Sequence, residues 1–456
     1  MEDGIERVEK NDYIIEEDDY ERQGTVWTAT AHVITAVIGS GVLALAWSVA
    51  QLGWIVGPIV LIAFASITYY TSTLMADCYR FPDPMTGSRN RTYMSAVQSY
   101  LGTLSLSSNY FGRYLYENRA ILQSNCFHKY GSKASCKGSG NSFIIIFGAL
   151  QILLSQIPNL EKITWLSVVA AVMSFGYSFI SLFLSIAKSV SHGHPDGTIL
   201  GVIARDHHVS SEDKTWRILQ ALGNVAFAFS YAEVLIEIQD TLKSPPSENK
   251  TMKRASLYGV GTTTVFYIAI GCIGYAAFGD DVPGNILTGF QDPFWLVDIA
   301  NICIIIHLVG AYQVYAQPIF ATVERKINSM LPNSTFTQNI LTLRMPFTKH
   351  KSLRLTPSKL ISRSVLIISS TFVAMLLPFF NAVMGFLGAV SFWPLTVYFP
   401  INMFLVQRKI KRGSITWVLL QSLSLICLLI SIAATIGSIA GIIDSLKSVK
   451  LFKAEY

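Results

Sequence analysis

Charged residues are scarce in this sequence. Asp, Glu, Lys and Arg make up 14% of its 456 residues, against about 25% in an average soluble protein. The N-terminus also lacks the basic stretch that opens a secretory signal peptide, because residues 1–22 contain ten Asp and Glu against three Lys and Arg. The sequence contains no nucleotide-binding glycine loop, no cluster of metal-ligand residues and no nucleophilic triad. So low a content of charge, together with the clustering of apolar residues described next, excludes soluble enzymes and nucleic-acid binders.

Apolar residues, by contrast, make up 51% of the chain and fall in long runs such as 60–76 and 415–443. A helix that crosses a bilayer needs about 20 consecutive apolar residues. The sequence therefore predicts an all-α polytopic membrane protein. Ten segments are long and apolar enough to cross: 25–51, 53–76, 141–160, 163–187, 216–240, 255–278, 294–322, 364–384, 385–406 and 416–440.

Lys and Arg indicate the orientation of these segments. The loops 241–254, 325–363 and 407–414 are basic, whereas the alternate loop 279–293 has three Asp and no Lys or Arg. Basic loops are typically cytoplasmic, and helix parity places all three on one side. Starting from a cytoplasmic N-terminus, the same parity requires a crossing between about residues 90 and 125.

That crossing is missing from the apolar pattern. Residues 101–125 have no long apolar run and contain Arg113, Glu117 and Arg119, each of which costs a few kcal/mol at the centre of a membrane helix. Either the N-terminus lies outside or one helix is missing.

Two of the ten segments contain interruptions at membrane depth. Gly39-Ser40-Gly41 interrupts the first, and the segment 216–240 mixes glycine, hydroxyl and acidic residues into an apolar helix. An unwound segment is tolerated in a membrane where it lines a cavity, although small residues also serve close helix packing. Two interrupted helices, each opening one half of the chain, are typical of inverted-repeat transporters with a central site. Each half of that architecture has five helices, so the first half is again one helix short.

Several sequence blocks resemble the plant amino acid permeases of the amino acid/auxin permease family. They include HVITAVIGSGVLALAW (32–47), VLIEIQDTLKSPP (234–246), GCIGYAAFGDDVPGN (271–285) and HLVGAYQVYAQPIF (307–320). The resemblance implies a LeuT-like inverted-repeat fold of eleven helices with a cytoplasmic N-terminus. It also implies proton-coupled import of amino acids, mainly neutral ones, across the plasma membrane. The chain departs from the family at 101–122, where members carry an apolar third helix. Because this helix is missing, the alternative interpretation is a transport-inactive or regulatory variant of such a permease.

The expected organisation is a disordered acidic cytoplasmic tail, a transporter domain and a C-terminal tail. The predicted bounds are 1–24 for the first tail, 25–445 for the domain (first half 25–187, second half 216–406, extra helix 416–440) and 446–456 for the second tail.

The two interruptions supply the predicted substrate site. The half-helix that starts at Gly41 would direct the positive end of its dipole at a carboxylate. Ile38, Gly39, Ser40 and Gly41 would offer backbone amides to that group, and carbonyls around Phe229, Ser230 and Tyr231 would accept from the substrate's ammonium group. Ordinary packing is the alternative for both sets.

Four residues are candidates for proton coupling or gating. His32 lies two turns before Gly39, and its ordinary pKa near 6.5 suits a proton relay; the resemblance assigns this role to a histidine at the matching place. Glu237 and Asp240 share a helix face near the cytoplasmic end, where pairing with Arg or Lys in an inner gate is favoured over proton carriage. Glu233 lies deeper in the membrane than these two residues. It is a candidate for a proton site or for a contact to cationic substrates, and the alternative is that its charge only destabilises the helix.

The remaining candidates carry less specific signals. His307, Tyr312 and Gln313 would line the pathway or form a buried network between helices. Cys126 and Cys136 share a polar loop and would form a disulfide if that loop faces an oxidising compartment. No cofactor or metal is expected; the partners are an amino acid, a co-transported proton and the lipid bilayer.

Overall fold

The computed structural model describes residues 22–448 apart from 85, 103–140, 157–163, 203–209, 333, 340, 345–351 and 377–378. Most of this part of the chain is helical. The bounds of the helices are α1 Val26–Val37, α2 Leu45–Asp77, α3 Tyr93–Leu101, α4 Asn141–Ser155, α5 Thr164–His192, α6 Ser211–Ala228, α7 Ala232–Asp240, α8 Glu248–Phe278, α9 Phe294–Met330, α10 Pro357–Leu376, α11 Phe380–Ser391, α12 Phe399–Gln407 and α13 Ile415–Ser448. A 3₁₀ turn over Ser40–Ala44 precedes α2, and a π-helical segment over Phe392–Tyr398 joins α11 to α12.

The strands are short and lie outside the helical bundle. β1 (Arg80–Phe81) pairs antiparallel with β2 (Ser88–Arg89), with Arg80 opposite Arg89. β3 (Leu341–Arg344) pairs antiparallel with β4 (Ser352–Leu355), with Leu341 opposite Leu355.

Within the described residues, eight helical stretches are long and apolar enough to cross a membrane, and two shorter apolar helices, Val26–Val37 and Ile144–Ser155, accompany them. Their outward faces are apolar: on α13, for example, Leu419 is 65% exposed and Leu429 58%. Such faces are unfavourable in water and suit a lipid environment. The predicted polytopic helical class is therefore confirmed.

A glycine separates the first two predicted segments, 25–51 and 53–76. The helical stretch Leu45–Asp77 is kinked at Gly53, whose φ is +83°. A Cβ there would lie 2.2 Å from the carbonyl oxygen of Ile199. Only glycine fits this combination of backbone angle and close approach.

Several predicted boundaries are wrong. The predicted segment 364–384 corresponds to α10, which ends at Leu376, and the predicted segment 385–406 corresponds to the span that starts at Phe380. Pro378 lies between the two helices in the sequence, and proline disfavours a helix at the preceding residue. The segment 141–160 is too long, since α4 ends at Ser155.

Both predicted tails also need new bounds. Gly24, assigned to the disordered tail, donates its amide to the Thr241 carbonyl (3.0 Å) and accepts from the Lys243 amide (3.0 Å). The helix α13 continues to Ser448, beyond the predicted end at 445.

The core is built around the two interrupted helices. The α1 helix packs on α8, α2 packs on both α6 and α8, and α6 packs on α11 and α13, while α4, α5, α9 and α10 form a neighbouring group. Small residues bring α6 and α11 together, because a Cβ at Gly223 would lie 2.3 Å from the Gly385 carbonyl oxygen. The interrupted helices are therefore held from several sides.

Ionic contacts identify one end of the bundle. Asp77, at the end of α2, pairs with Lys253 (2.7 Å) and Arg408 (3.5 Å), which brings two of the basic loops to the same end as residue 77. The α3 helix stays at this end, since the Tyr100 hydroxyl donates to the Arg80 carbonyl (2.6 Å).

The helix α4 ends near the third basic loop. Its last carbonyl, that of Ser155, accepts a hydrogen bond from Arg363, which pairs with Glu324. A crossing between α3 and α4 stays a prediction, because residues 103–140 lie outside the described part, and so do Cys126 and Cys136.

Candidate functional site

The first interruption separates α1 from the 3₁₀ turn. The Ile38 amide donates to the Ile34 carbonyl (2.8 Å) and the Gly39 amide to the Val37 carbonyl (2.9 Å). Among the described residues, the next two amides, of Ser40 and Gly41, have no backbone partner. Two adjacent unpaired amides at the start of a helical turn are hydrogen-bond donors of the kind that bind anions.

This geometry narrows the sequence prediction. Of the four predicted amides, those of Ile38 and Gly39 are already used by the helix end, so Ser40 and Gly41 remain. Gly39 contributes space instead: a Cβ added to it would meet no atom within 4 Å.

The second interruption lies between α6 and α7. The Phe229 amide donates to the Val225 carbonyl (3.2 Å), the Ser230 amide to the Phe227 carbonyl (3.1 Å), and the Tyr231 carbonyl accepts from Val234 (3.1 Å). In the described part of the chain, no donor reaches the carbonyl of Phe229. This oxygen is therefore available to a cationic group.

The two interruptions touch each other. A Cβ at Gly41 would lie 3.0 Å from the Ala228 Cα and 3.0 Å from the Phe227 Cδ1. The unpaired amides thus lie beside the end of α6, which is followed directly by Phe229. One side offers hydrogen-bond donors and the other an acceptor, as the two ends of an α-amino acid require.

Tyr267 of α8 joins the two interruptions. Its hydroxyl lies 2.5 Å from the Val37 carbonyl oxygen and 3.2 Å from that of Ala228, the last residues of α1 and α6. The side chain is fully buried, and its ring meets Phe229 edge to face, with centroids 5.3 Å apart. Sequence reasoning missed this residue, because a lone tyrosine in an apolar helix carries no pattern.

The side chain of Tyr231 points elsewhere. Its hydroxyl is buried close to the hydroxyls of Ser72 and Ser256, which are buried as well. Ser230 donates its hydroxyl to the Ala226 carbonyl (2.8 Å). Neither contact conflicts with a role for the backbone around these residues.

Glu237 and Asp240 both meet the segment that follows α2. Oε1 of Glu237 accepts from the Tyr93 amide (3.1 Å), whereas its Oε2 is buried without a partner. Asp240 accepts from the Tyr79 hydroxyl (2.5 Å) and lies 3.9 Å from Arg89. Burial and the hydrogen bond to Asp240 raise the pKa of Tyr79 above its ordinary value, so this hydroxyl stays protonated and donates.

Further ion pairs at this end were not predicted. Glu248, at the start of α8, pairs with Arg22 (2.8 Å) and with Arg80 (2.7 Å). Together with the pairs of Asp77, these contacts tie the N-terminal segment, the α2–α3 connection and α8 together. The sequence does show many opposite charges in the N-terminal segment, the α2–α3 connection and the start of α8. Their pairing can be predicted only when it is known that these segments contact each other.

His32 lies on an exposed face of α1, next to Ala31 and away from the buried residues Ala29 and Val33. No hydrogen bond to its ring is present among the described residues. Glu233 lies in the first turn of α7 and is half-buried. The roles assigned to both stay predictions.

The three polar residues of α9 form contacts between helices. The His307 ring lies 2.9 Å from the Ala170 carbonyl oxygen, the Tyr312 hydroxyl 3.2 Å from the Ser370 hydroxyl, and Gln313 donates to Gln151 (2.5 Å). Of the two alternatives left open by the sequence, these contacts favour the buried network.

No group of three or more His, Cys, Asp or Glu side chains that could hold a metal ion occurs among the described residues.

The fold and the paired interruptions define a membrane transporter of the LeuT-like class. A solved structure, described as the inward-facing conformation of Mhp1, matches 95% of this chain and 93% of its own length, with a TM-score of 0.50 and 15% identity. At this identity the match shows the fold alone.

Sequence comparisons identify the family. The model for "Transmembrane amino acid transporter protein" matches residues 22–444. Amino acid permease 3 of Arabidopsis thaliana is 52% identical over 97% of this chain and 96% of the relative, and amino acid permease 2 of the same plant is 50% identical over 95% and 91%. The chain belongs to the transmembrane amino acid transporter family, among the plant amino acid permeases, and is a transporter, not an enzyme. Neither these relatives nor the described residues favour a transport-inactive variant.

Proposed function

We propose that the chain imports neutral amino acids across the plasma membrane together with protons, by alternating access. The observation that carries this proposal is the pair of interruptions: Gly41, whose amide has no backbone partner, lies against Phe227 and Ala228 at the end of α6, and the next carbonyl along the chain, that of Phe229, accepts from no donor in the described residues. In this proposal the substrate carboxylate binds the amides, the ammonium group binds the carbonyl, and the side chain enters the space next to Gly39.

The surroundings support a neutral substrate. Val37, Ile38, Val42, Ala228 and Phe229 are all buried and apolar. A charged substrate side chain would lose its hydration there without gaining a counter-charge.

The charged end of the bundle supports the orientation. Basic loops are typical of the cytoplasmic side, and Gly24 and Arg22 lie at the same end as Lys253 and Arg408. The proposed N-terminus is therefore cytoplasmic, and the pairs of Asp77 and Glu248 close the inner side until the transporter opens inward.

The direct test is uptake of a radiolabelled neutral amino acid by host cells that lack their own uptake, with membrane currents recorded in parallel. We expect uptake that increases as the outside is acidified, together with an inward current. A chain that reaches the surface but moves no amino acid would contradict the proposal.

The proton is proposed to use Glu237. Its unpaired buried Oε2 is costly as part of a carboxylate and acceptable as a protonated hydroxyl; Glu233 and Asp240, on the same helix, add like charge. Glu237→Gln keeps the acceptor for the Tyr93 amide and fixes a neutral group. We expect uptake by this variant to lose its dependence on outside pH, while wild-type uptake falls by up to about tenfold per pH unit where the carboxyl titrates.

His32→Ala provides the comparison, because the sequence gives His32 the same role. If uptake by His32→Ala becomes independent of pH and uptake by Glu237→Gln does not, the proton is carried at His32. If both variants keep the wild-type pH profile, neither residue couples the proton.

A further inference from the structure

Two helix C-termini converge on one side chain at the centre of the bundle. The carbonyl oxygens of Val37 and Ala228 end α1 and α6, and both lie within hydrogen-bond reach of the Tyr267 hydroxyl. Each helix C-terminus carries a partial negative charge of about half an elementary charge. Their approach in a buried place is unfavourable unless a positive or hydrogen-donating group lies between them.

Transporters with paired broken helices commonly meet this need with an ion. Unwound carbonyls and half-helix C-termini then coordinate the co-transported cation at the midplane. In this chain the place between the two ends is filled by a hydroxyl that belongs to a third helix, α8. Tyr267 is 0% exposed, so the junction is shielded from bulk solvent.

We propose that the Tyr267 hydroxyl is a built-in substitute for a metal cation at this junction. Its single proton lies between the carbonyl oxygens that end α1 and α6 and partly offsets their negative charge. The contact ties both interruptions to α8 and makes transport independent of sodium. Tyr267 is thus a positioning residue for the substrate site, and its place in transport rests on the proposed function.

The contacts of the ring separate this role from simple packing. The edge-to-face contact with Phe229 does not need the hydroxyl, so Tyr267→Phe removes the bridge and keeps the ring. Tyr267→Ser removes the ring and leaves a cavity beside the two carbonyls, because the serine oxygen is bonded directly to Cβ and falls short of the place that the tyrosine hydroxyl occupies. Two carbonyl oxygens and water in such a cavity are the kind of ligands that a hard cation takes.

Tyr258 offers a matched control on the same helix. Its ring is 46% exposed and stacks on Trp27, with centroids 5.8 Å apart. Tyr258→Phe and Tyr258→Ser therefore make the same chemical changes away from the junction.

The experiment measures uptake at one acidic pH in sodium chloride and in choline chloride, with surface amounts quantified. We expect wild type and both Tyr258 variants to be indifferent to the salt. Tyr267→Phe should lose at least about tenfold in uptake in both salts, as one lost buried hydrogen bond of about 1.5 kcal/mol predicts. Tyr267→Ser should be inactive in choline chloride and stimulated several-fold by sodium chloride.

A second measurement does not require transport. Thermal unfolding of the purified full-length chain in detergent should be unaffected by sodium in wild type, whereas sodium should raise the melting temperature of Tyr267→Ser by about 2 °C over choline. Uptake by Tyr267→Phe at the level of the wild type would overturn the proposal. A Tyr267→Ser variant that sodium neither stimulates nor stabilises would overturn it as well. If the wild type moves no amino acid but sodium still stabilises Tyr267→Ser, the proposed function fails and the junction assignment stands.

Discussion

Gly39→Val is expected to abolish uptake of amino acids while the chain folds and reaches the membrane in normal amounts. Gly39 has extended backbone angles (φ −121°, ψ −161°), which valine adopts readily. Its Cβ would enter open space, so the fold has no reason to respond. The isopropyl group would instead fill the space next to Gly39 that the substrate's side chain is proposed to enter, and so would keep the carboxylate from the adjacent Ser40 and Gly41 amides.

The expected loss is large. Two charge-assisted hydrogen bonds contribute about 1.5 kcal/mol or more each, so blocking them lowers affinity by about 100-fold or more. Uptake across a range of substrate concentrations, normalised to surface protein, measures this loss.

Gly261 provides the control. A Cβ at Gly261, on the exposed face of α8, also meets nothing within 4 Å, so Gly261→Val adds the same group where no substrate binds and should keep wild-type uptake. Gly41→Val provides the contrast, since its Cβ lies 3.0 Å from the Ala228 Cα, and it should lower the yield of folded protein as well as uptake. Wild-type affinity in Gly39→Val would rule out the assigned carboxylate site.

The sequence predicted both interruptions, because glycine and polar residues at membrane depth are costly unless the backbone there has a use. It did not predict which amides stay unpaired. That depends on how α1 ends: the Ile38 amide bonds four residues back to Ile34 and the Gly39 amide two residues back to Val37, which leaves the amides of Ser40 and Gly41 without a backbone partner. Hydrogen bonds of this kind are a property of the folded backbone and leave no mark on residue types.

Side chains that act across helices were the least predictable part. Tyr267 lies among apolar residues, and its two acceptors are more than 200 and about 40 positions away in the chain. His307, Tyr312 and Gln313 were visible as polar residues in an apolar helix, but only the positions of α4, α5 and α10 show that they bond to those neighbours. Interhelical partners of this kind require the tertiary arrangement.

A buried ion pair joins the inner ends of α9 and α10. Nε of Arg363 donates to Oε1 of Glu324 (2.6 Å), and the two residues are only 4% and 9% exposed. Arg363 also donates to the Ser155 carbonyl at the end of α4 and lies over the ring of Phe320, 5.3 Å from its centroid. One guanidinium group therefore joins three helices.

Removing either partner alone should destabilise the protein strongly. Arg363→Met leaves the Glu324 carboxylate buried without a counter-charge, and Glu324→Met does the same to the guanidinium group. Breaking a buried pair in this way costs about 3–5 kcal/mol, which is a large part of the stability of a typical domain. We expect each single variant to give little folded protein, measured as the monodisperse fraction in detergent and as surface amount in cells.

The double variant distinguishes an ion pair from two independent contacts. With both charges removed, Arg363→Met/Glu324→Met leaves an apolar contact of similar volume, and such replacements are commonly close to neutral. We therefore expect the double variant to recover most of the folded yield that either single variant loses, with the carbonyl of Ser155 accounting for the remainder. Additive losses in the double variant would show that the two residues act separately, and the joint of α4, α9 and α10 would then depend on packing around Phe320.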